Sequence, residues 1–192
     1  TKENYPSNFN WSPDGKYILT KLDERPVLIS VVDGSILDLA IENPGMMCIS
    51  PDGNYVVYDT PQDKNSNQNN IFVYDRTTHL TSVLVGHPAD DKLLGWSPDG
   101  RHVLFSSDRR GSIDAWLISV SGGQPTGAPE MVRSDISGLG YGMGFTQVGA
   151  YFFSNWGESR DVFFTQLDIQ TGKLLSPPAE VAETYLGSNW GP

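Results

Sequence analysis

A chain of 192 residues with 38% hydrophobic and 11% aromatic residues can bury a substantial core, which excludes an intrinsically disordered protein. Its 23 acidic and 13 basic residues give a formal net charge of −10, and no basic run interrupts this balance, so we expect no nucleic-acid partner. No apolar stretch is long enough to cross a membrane, so no membrane insertion is expected either.

The distribution of turn-forming residues indicates the fold class. Twenty glycines and 13 prolines are spread between short apolar runs, and no run has the period of an amphipathic helix. Short β-prone runs separated by turns are typical of all-β proteins. The composition therefore predicts an all-β fold.

One turn motif recurs along the chain. Trp-Ser-Pro-Asp-Gly begins at Trp11 and at Trp96, and the related Ile-Ser-Pro-Asp-Gly begins at Ile49. Proline presets the first central φ, aspartate bonds the backbone and glycine tolerates a positive φ, so each copy predicts a hairpin. The three copies are 38 and 47 residues apart, and a weaker copy begins at Phe145, 49 residues after Trp96. Such spacing is typical of propeller blades with four strands each.

Taken in chain order, the apolar runs fill four predicted blades of four antiparallel strands. We expect the blades over residues 1–44, 45–90, 91–140 and 141–186, with residues 187–192 beginning a further blade. The predicted strands are 8–11, 17–20, 27–31 and 35–41; 46–50, 55–59, 71–74 and 80–85; 93–96, 102–106, 114–120 and 130–133; and 142–145, 150–153, 161–167 and a segment within 173–182.

Four blades would leave two apolar flanks uncovered, and stacked repeats need such flanks covered. We therefore interpret the chain as a single domain of about four blades, an incomplete part of a ring of six to eight. A second chain covering the flanks, including self-association through them, is one alternative. A closed ring of four blades is another.

The conspicuous residues of the repeated motif are interpreted as structural. Trp11 and Trp96 end inner strands and are expected to wedge between neighbouring blades, where a buried Trp contributes to packing. Asp14, Asp52 and Asp99 are expected to form turns rather than to act as catalytic acids.

No cofactor or metal site is expected. Residues 63–70 alternate oxygen side chains as a calcium loop does, but Gln68 replaces the glycine of such a loop and Tyr74 replaces its closing glutamate. We interpret this segment as a polar loop. The histidines have no ligand-spaced partners, and lone Cys48, which can form no intramolecular disulfide, is interpreted as a packed hydrophobe.

Catalytic and phosphate-binding motifs are also missing from the sequence. No Gly-x-Ser-x-Gly elbow occurs, so a serine hydrolase would have to lie outside this chain. The alternating glycines of residues 138–144 precede a strand rather than a helix, so they do not predict a phosphate loop. We expect these glycines to allow an inner strand to approach the central channel of the propeller closely.

The repeats resemble those of TolB-like β-propellers. The resemblance is carried by the hairpins at Trp11 and Trp96 and by residues 107–111 and 114–116, which close on the Ser-Gly-Gly of residues 121–123. It covers nearly the whole chain and is strongest in the third blade. Such repeats occur in periplasmic Tol proteins, in propeller domains of prolyl-oligopeptidase-like peptidases and in other bacterial multidomain proteins. The resemblance implies the fold and a periplasmic or extracellular location, but no particular function.

A candidate ligand site is expected on one face of the propeller. The Ser-Pro-Asp-Gly turns lie on one face, and the loops that join second to third strands and one blade to the next lie on the other, which we call the loop face. Arginines there would clamp carboxylates, and a tryptophan would offer a stacking surface. The favoured alternative is that Asp108 and Arg109 only tie blade loops together. The candidates are Asp108, Arg109, Arg110, Tyr141, Trp156 and Arg160.

The sequence leaves three functions open. The first is a non-enzymatic module that binds a protein or peptide. The second is a propeller that gates access to a hydrolase or peptidase domain outside this segment. The third is a carbohydrate-binding or lyase propeller, which would need a metal or basic catalytic group that the sequence does not reveal.

Overall fold

The computed structural model describes residues 7–63, 66–137, 139–155, 162–168, 171 and 173–180, and these residues form an all-β fold with no helix. No segment among them qualifies as a membrane-spanning helix. The strands are β1 (Ser7–Trp11), β2 (Tyr17–Leu22), β3 (Arg25–Ser30), β4 (Ile36–Asp38), β5 (Met47–Ile49), β6 (Tyr55–Pro61), β7 (Asn69–Asp75), β8 (Thr81–Val85), β9 (Asp91–Trp96), β10 (His102–Ser107), β11 (Asp114–Ser121), β12 (Gln124–Pro125), β13 (Glu130–Arg133), β14 (Leu139–Phe145), β15 (Ala150–Asn155), β16 (Val162–Gln166) and β17 (Ala179–Glu180).

The strands form four antiparallel sheets, which are the blades of a β-propeller. The first sheet has the order β1-β2-β3-β4, the second β5-β6-β7-β8 and the fourth β14-β15-β16-β17. In the third, β9, β10 and β11 are followed by both β12 and β13, which pair with β11. The predicted fold class and the meandering blades are confirmed.

The repeated turn has the same hydrogen bonds in the first three blades. Ser12 Oγ donates to Asp14 Oδ1 at 2.7 Å and accepts from the Tyr17 amide at 2.8 Å. The same pairs recur at 2.5 and 2.9 Å in the second blade and at 2.6 and 2.9 Å in the third. The motif glycine has a φ of 69 to 75° at all three turns, which a side chain would strain. The predicted hairpins and turn-forming aspartates are confirmed.

The fourth blade has a shorter turn. The Thr146 amide donates to the Ala150 carbonyl, four residues on, whereas the Ser12 amide donates to Tyr17, five residues on. This one-residue difference shifts the equivalence of the following strands. Ser154 pairs with Val162, while Ser107 pairs with Asp114. Counted from the turn, Ser154 is therefore equivalent to Ser106, although a spacing of 47 residues would match it to Ser107.

In the described part of the chain the core consists of three apolar clusters, each between successive blades. One joins the first and second blades through Leu19 and Val56, among others. The next joins the second and third through Val57 and Val103, and the last joins the third and fourth through Leu104 and Tyr151. Because the second and third sheets have a blade on each side, their middle strands β6 and β10 are buried on both faces and have continuous apolar runs.

The predicted wedging role is confirmed for Trp96 and wrong for Trp11. Trp96 is 8% exposed and stacks on Tyr55 of the preceding blade, with ring centroids 6.4 Å apart. Trp11 is 58% exposed. The physical reason is position: among the described residues no strand precedes β1, so no preceding blade covers Trp11.

The outer strands differ most from the prediction. In the first blade the outer strand is only Ile36–Asp38, and Leu39 and Ile41, which follow it, lie in the core between the first two blades. Two-residue β12 was not predicted, and the fourth sheet begins at Leu139, before the expected start of its blade. Outer strands bury little surface, so their apolar pattern is weak. The expected further blade at residues 187–192 lies outside the described residues.

Candidate ligand site

The four inner strands line an axial cavity of about 620 Å³. We use the name axial cavity for the space lined by β1, β5, β9 and β14 and by the turns that follow them. Among the described residues its lining contains no charged side chain, although the chain carries a net charge of −10. Its apolar walls include Phe9, Met46, Ile49, Leu93, Met143 and Phe145.

Backbone edges and two exposed side chains are available inside the cavity. Each inner strand is the end member of its sheet, so one of its edges has no strand partner among the described strands. Free strand edges can pair with an added extended segment. Phe9 is 60% and Met143 48% exposed, and both side chains line the cavity. The cavity therefore offers both backbone pairing and apolar contact.

Cys48 is the thiol in this wall. It is 7% exposed, and burial raises its pKa to about 12. A thiol with such a pKa is protonated near neutral pH and is a poor nucleophile. The predicted role of Cys48 as a packed hydrophobe is confirmed.

A glycine in β14 makes room for a tyrosine that joins the last two blades. A Cβ at Gly142 would collide with the Tyr151 hydroxyl, which donates to the Leu94 carbonyl at 3.0 Å. Burial raises the pKa of Tyr151, so the hydroxyl stays a donor. Gly142 and Gly144 do line the cavity. The predicted role of the glycines was incomplete, because Gly142 also makes room for the contact of Tyr151 with the third blade.

At the loop face, a buried carboxylate links the second and third blades. Asp59 Oδ1 accepts the Met46 amide and Oδ2 accepts the Leu93 amide, both at 2.8 Å. Burial raises the pKa of Asp59, although these two backbone hydrogen bonds oppose the shift. Sequence analysis did not find Asp59, because its bonds join residues that are distant in the chain.

Arg109, a predicted ligand residue, is mostly buried in a contact network within the third blade. Its Nη2 donates to Asp91 Oδ1 at 2.8 Å and its Nε to Ser107 Oγ at 2.9 Å. The guanidinium lies 4.7 Å from the ring centroid of Trp116 and 5.3 Å from that of Phe105. Asp91 is fully buried. These contacts orient Arg109 toward its own blade.

The structure shows contacts for only some of the other predicted ligand residues. Asp108 Oδ1 accepts the Asp90 amide at 3.0 Å, which ties two loops together, while Arg110 Nη1 contacts Met131 Sδ at 2.9 Å. Tyr141 lies on β14, but its side chain is outside the described set. Trp156 and Arg160 lie outside the described residues. The ligand-binding role of these residues stays a prediction.

In the polar loop of residues 63–70, of which residues 64 and 65 lie outside the described set, several polar groups form hydrogen bonds within the protein. Asn69 donates through its amide groups to Asp90 Oδ1, and Asn70 Oδ1 accepts from Gln62 and from the His87 amide. Among the described residues, no group of three or more His, Cys, Asp or Glu is arranged to hold a metal. The interpretation as a polar loop agrees with these contacts.

Several solved structures share this fold, whereas no family model matches the chain. The crystal structure of TolB from Acinetobacter baumannii is 21% identical, with a TM-score of 0.66 over 91% of this chain and 44% of that chain. A putative TolB from Agrobacterium tumefaciens is 18% identical, with a TM-score of 0.68 over 95% of this chain and 64% of that chain. The tricorn protease is 12% identical, with a TM-score of 0.60 over 94% of this chain and 23% of that chain.

The comparisons show a TolB-like β-propeller fold. At these identities the likeness concerns the fold alone, because one fold supports many functions. The chain spans 44% and 64% of the two TolB chains that it matches. Function has to be argued from the site.

Proposed function

We propose that this chain is a non-enzymatic binding module that holds an extended segment of a protein partner in the axial cavity. The observation that carries the proposal is the uncharged cavity of about 620 Å³ between four inner strands with free edges. Peptides that add to a strand edge gain affinity from main-chain hydrogen bonds and specificity from side-chain pockets. Both components are available in this cavity.

The exposed apolar side chains support a peptide over a small polar ligand. Phe9 and Met143 lie at opposite ends of the blade series, on the first and fourth inner strands, and both line the cavity. Methionine adapts to ligands of different shape, and aromatic side chains often anchor binding partners. An apolar side chain of the partner would pack between them.

A gating propeller is the second candidate function. The tricorn protease contains a region similar in fold to this chain. In that case the axial cavity would admit substrate to a hydrolase domain outside this segment. A nucleophile elbow in a longer reading frame would support this candidate.

Peptide selection followed by calorimetry tests the proposal. A display library of random peptides is selected against the whole chain, and the selected peptides are titrated into wild type, Met143→Arg and Val148→Arg. Val148 is 76% exposed and is not part of the cavity wall, so it is a matched control for the added charge.

We expect affinities of about 1 μM, a loss of at least about tenfold in Met143→Arg and no change in Val148→Arg. The proposal is wrong if no peptide is enriched, or if the two variants bind the selected peptides equally well.

A further inference from the structure

A cleft lies between the second and third blades, on the face of the propeller that carries the Ser-Pro-Asp-Gly turns. It has a volume of about 370 Å³ and is bounded by two successive Ser-Pro-Asp-Gly turns and by the start of the β11–β12 hairpin. Tyr55 and Trp96 form its aromatic wall, and Asp52 and Asp99 are its charged residues. It adjoins the axial cavity through Pro51 and Trp96, which line both spaces.

The equivalent cleft between the first and second blades is occupied by the chain's own arginine. The Arg76 guanidinium lies 5.5 Å from the centroid of the Tyr17 ring, and its Nη1 donates to the Gly53 carbonyl. Tyr17 belongs to the first blade, and Gly53 is the turn glycine of the second. An arginine thus bridges two blades by stacking and by a charge-assisted hydrogen bond.

The hydrogen-bond pattern shows which residues are equivalent in the two clefts. The Arg76 amide donates to the Asn54 carbonyl, and the Val120 amide donates to the Arg101 carbonyl one blade later. Val120 therefore occupies the position of Arg76. Tyr55 corresponds to Tyr17 and Gly100 to Gly53, and the two glycines have φ values of 73 and 75°. Tyr55, Gly100 and Val120 all line the open cleft.

We propose that the cleft between the second and third blades binds an arginine side chain presented by a partner protein. Valine at position 120 leaves the space open that Arg76 fills in the neighbouring cleft. The Tyr55 ring is packed against Trp96 and Gly123, so the guanidinium would be held by the Gly100 carbonyl, the counterpart of the Gly53 carbonyl that Arg76 uses, and by the carboxylates of the cleft. The guanidinium group is weakly hydrated and planar, which suits such a site better than an ammonium group.

Charge in the cleft favours a cation. Asp99 Oδ1 accepts from Ser97 Oγ and from the Arg101 amide, but no described residue donates a hydrogen bond to Asp99 Oδ2. Burial disfavours ionisation of Asp52, yet hydrogen bonds from Ser50 and Asn54 outweigh it and hold its pKa below the ordinary value. Asp52 is therefore ionised near neutral pH. The cleft lining contains no basic side chain, although His102 Nδ1 lies 3.8 Å from Asp99 Oδ1.

Trp96 in the wall of the cleft is 8% exposed, and its Nε1–H is buried without a hydrogen-bond partner among the described residues. The inference adds a site to the proposed axial binding and does not rest on it.

Titration with a minimal arginine ligand tests the inference. The ¹⁵N-labelled chain is titrated with N-acetyl-arginine methylamide, and with the citrulline analogue, which has nearly the same shape and no charge. We expect saturable shifts at the amides of Gly100, Gly122 and Gly123 with a dissociation constant of about 1–10 mM. The citrulline analogue should cause no saturable shift.

Two exchanged variants make the test decisive. Val120→Arg should fill the cleft from within and abolish the shifts, whereas Arg76→Val should open the neighbouring cleft and add a second set of shifts at Gly53. If Val120→Arg does not fold, the Arg76→Val titration decides alone. Absence of saturation in wild type, equal binding of citrulline, or no new shifts in Arg76→Val would overturn the inference.

Discussion

Trp11 and Trp96 occupy the same position in their blades, but Trp11 is 58% exposed and Trp96 is 8% exposed. Trp96 lies against Tyr55 in the preceding blade. A neighbouring position shows the same difference in exposure. Val56 and Val103 are fully buried in the second and third blades, whereas the equivalent Ile18 of the first blade is only half-buried. Burial in this fold is therefore set by the preceding blade rather than by the motif itself.

The two tryptophans should differ in their contribution to stability. Trp96→Ala should lower the free energy of unfolding by about 3–5 kcal/mol, because it leaves a cavity between two blades. Trp11→Ala should change it by less than about 1 kcal/mol. Chemical denaturation of both variants measures the difference. Equal losses would contradict the interface described here.

Asp59→Asn should weaken the contact between the second and third blades. The amide group can accept through one oxygen only, so either the Met46 or the Leu93 amide loses its acceptor, at a cost of about 1–3 kcal/mol. Asp38→Asn is the matched control, because Asp38 forms only an exposed ion pair with Arg25 at 3.5 Å. Urea denaturation of the two variants should separate them, and equal stability would count against the link.

The effect of Asp59→Asn on stability should depend on pH. The pKa of Asp59 is raised above its ordinary value of 3.8, so the folded chain binds this proton more tightly than the unfolded chain. The contribution of this group to stability is therefore greatest below the ordinary value and falls as pH rises through the folded-state pKa. The stability advantage of wild type over Asp59→Asn should shrink with rising pH. An advantage that grows instead would show that burial does not dominate the shift.

Arg109→Ala should be strongly destabilising because it leaves the buried Asp91 carboxylate without its cation. Losing one partner of such a pair costs about 3–5 kcal/mol, whereas Arg110→Ala should cost less than about 0.5 kcal/mol. Replacing both partners, as in Asp91→Leu with Arg109→Met, should be milder than Arg109→Ala alone. Thermal or chemical unfolding measures all three. Similar stability of the two single arginine variants would contradict a structural role for Arg109.

Cys48 should be unreactive in the folded chain. Burial raises its pKa to about 12, so almost no thiolate is present near neutral pH. A disulfide reagent should label it at the rate at which the blades separate, and rapidly after unfolding. Labelling of the native chain as fast as of the unfolded chain would contradict its placement in the wall.

The sequence predicted the elements that depend on local chemistry. Pro13, Asp14 and Gly15 specify a turn by themselves, and the short apolar run after them specifies a buried strand. The strands β6 and β10 were therefore predicted close to their observed bounds. Blade order follows from the recurrence of these local units.

The remaining features depend on contacts between blades. Asp59 links to Leu93 across 34 sequence positions, and no local pattern marks it. Arg76 fills a cleft because Tyr17 of another blade lies beside it. Aligning Arg76 with Val120 within the repeat would have indicated this difference. Phe9 and Met143 became candidates only when their strands were seen to line one cavity.

Methionine-methyl NMR of a peptide complex tests the central claim most directly. The chain has four methionines, of which Met46 and Met143 line the axial cavity, Met47 is buried and Met131 is 39% exposed outside it. Binding of a selected peptide should shift the methyl signals of Met46 and Met143 and give contacts from the peptide to both, leaving Met131 unchanged. A bound peptide that shifts only Met131, or no methionine, would contradict binding in the axial cavity.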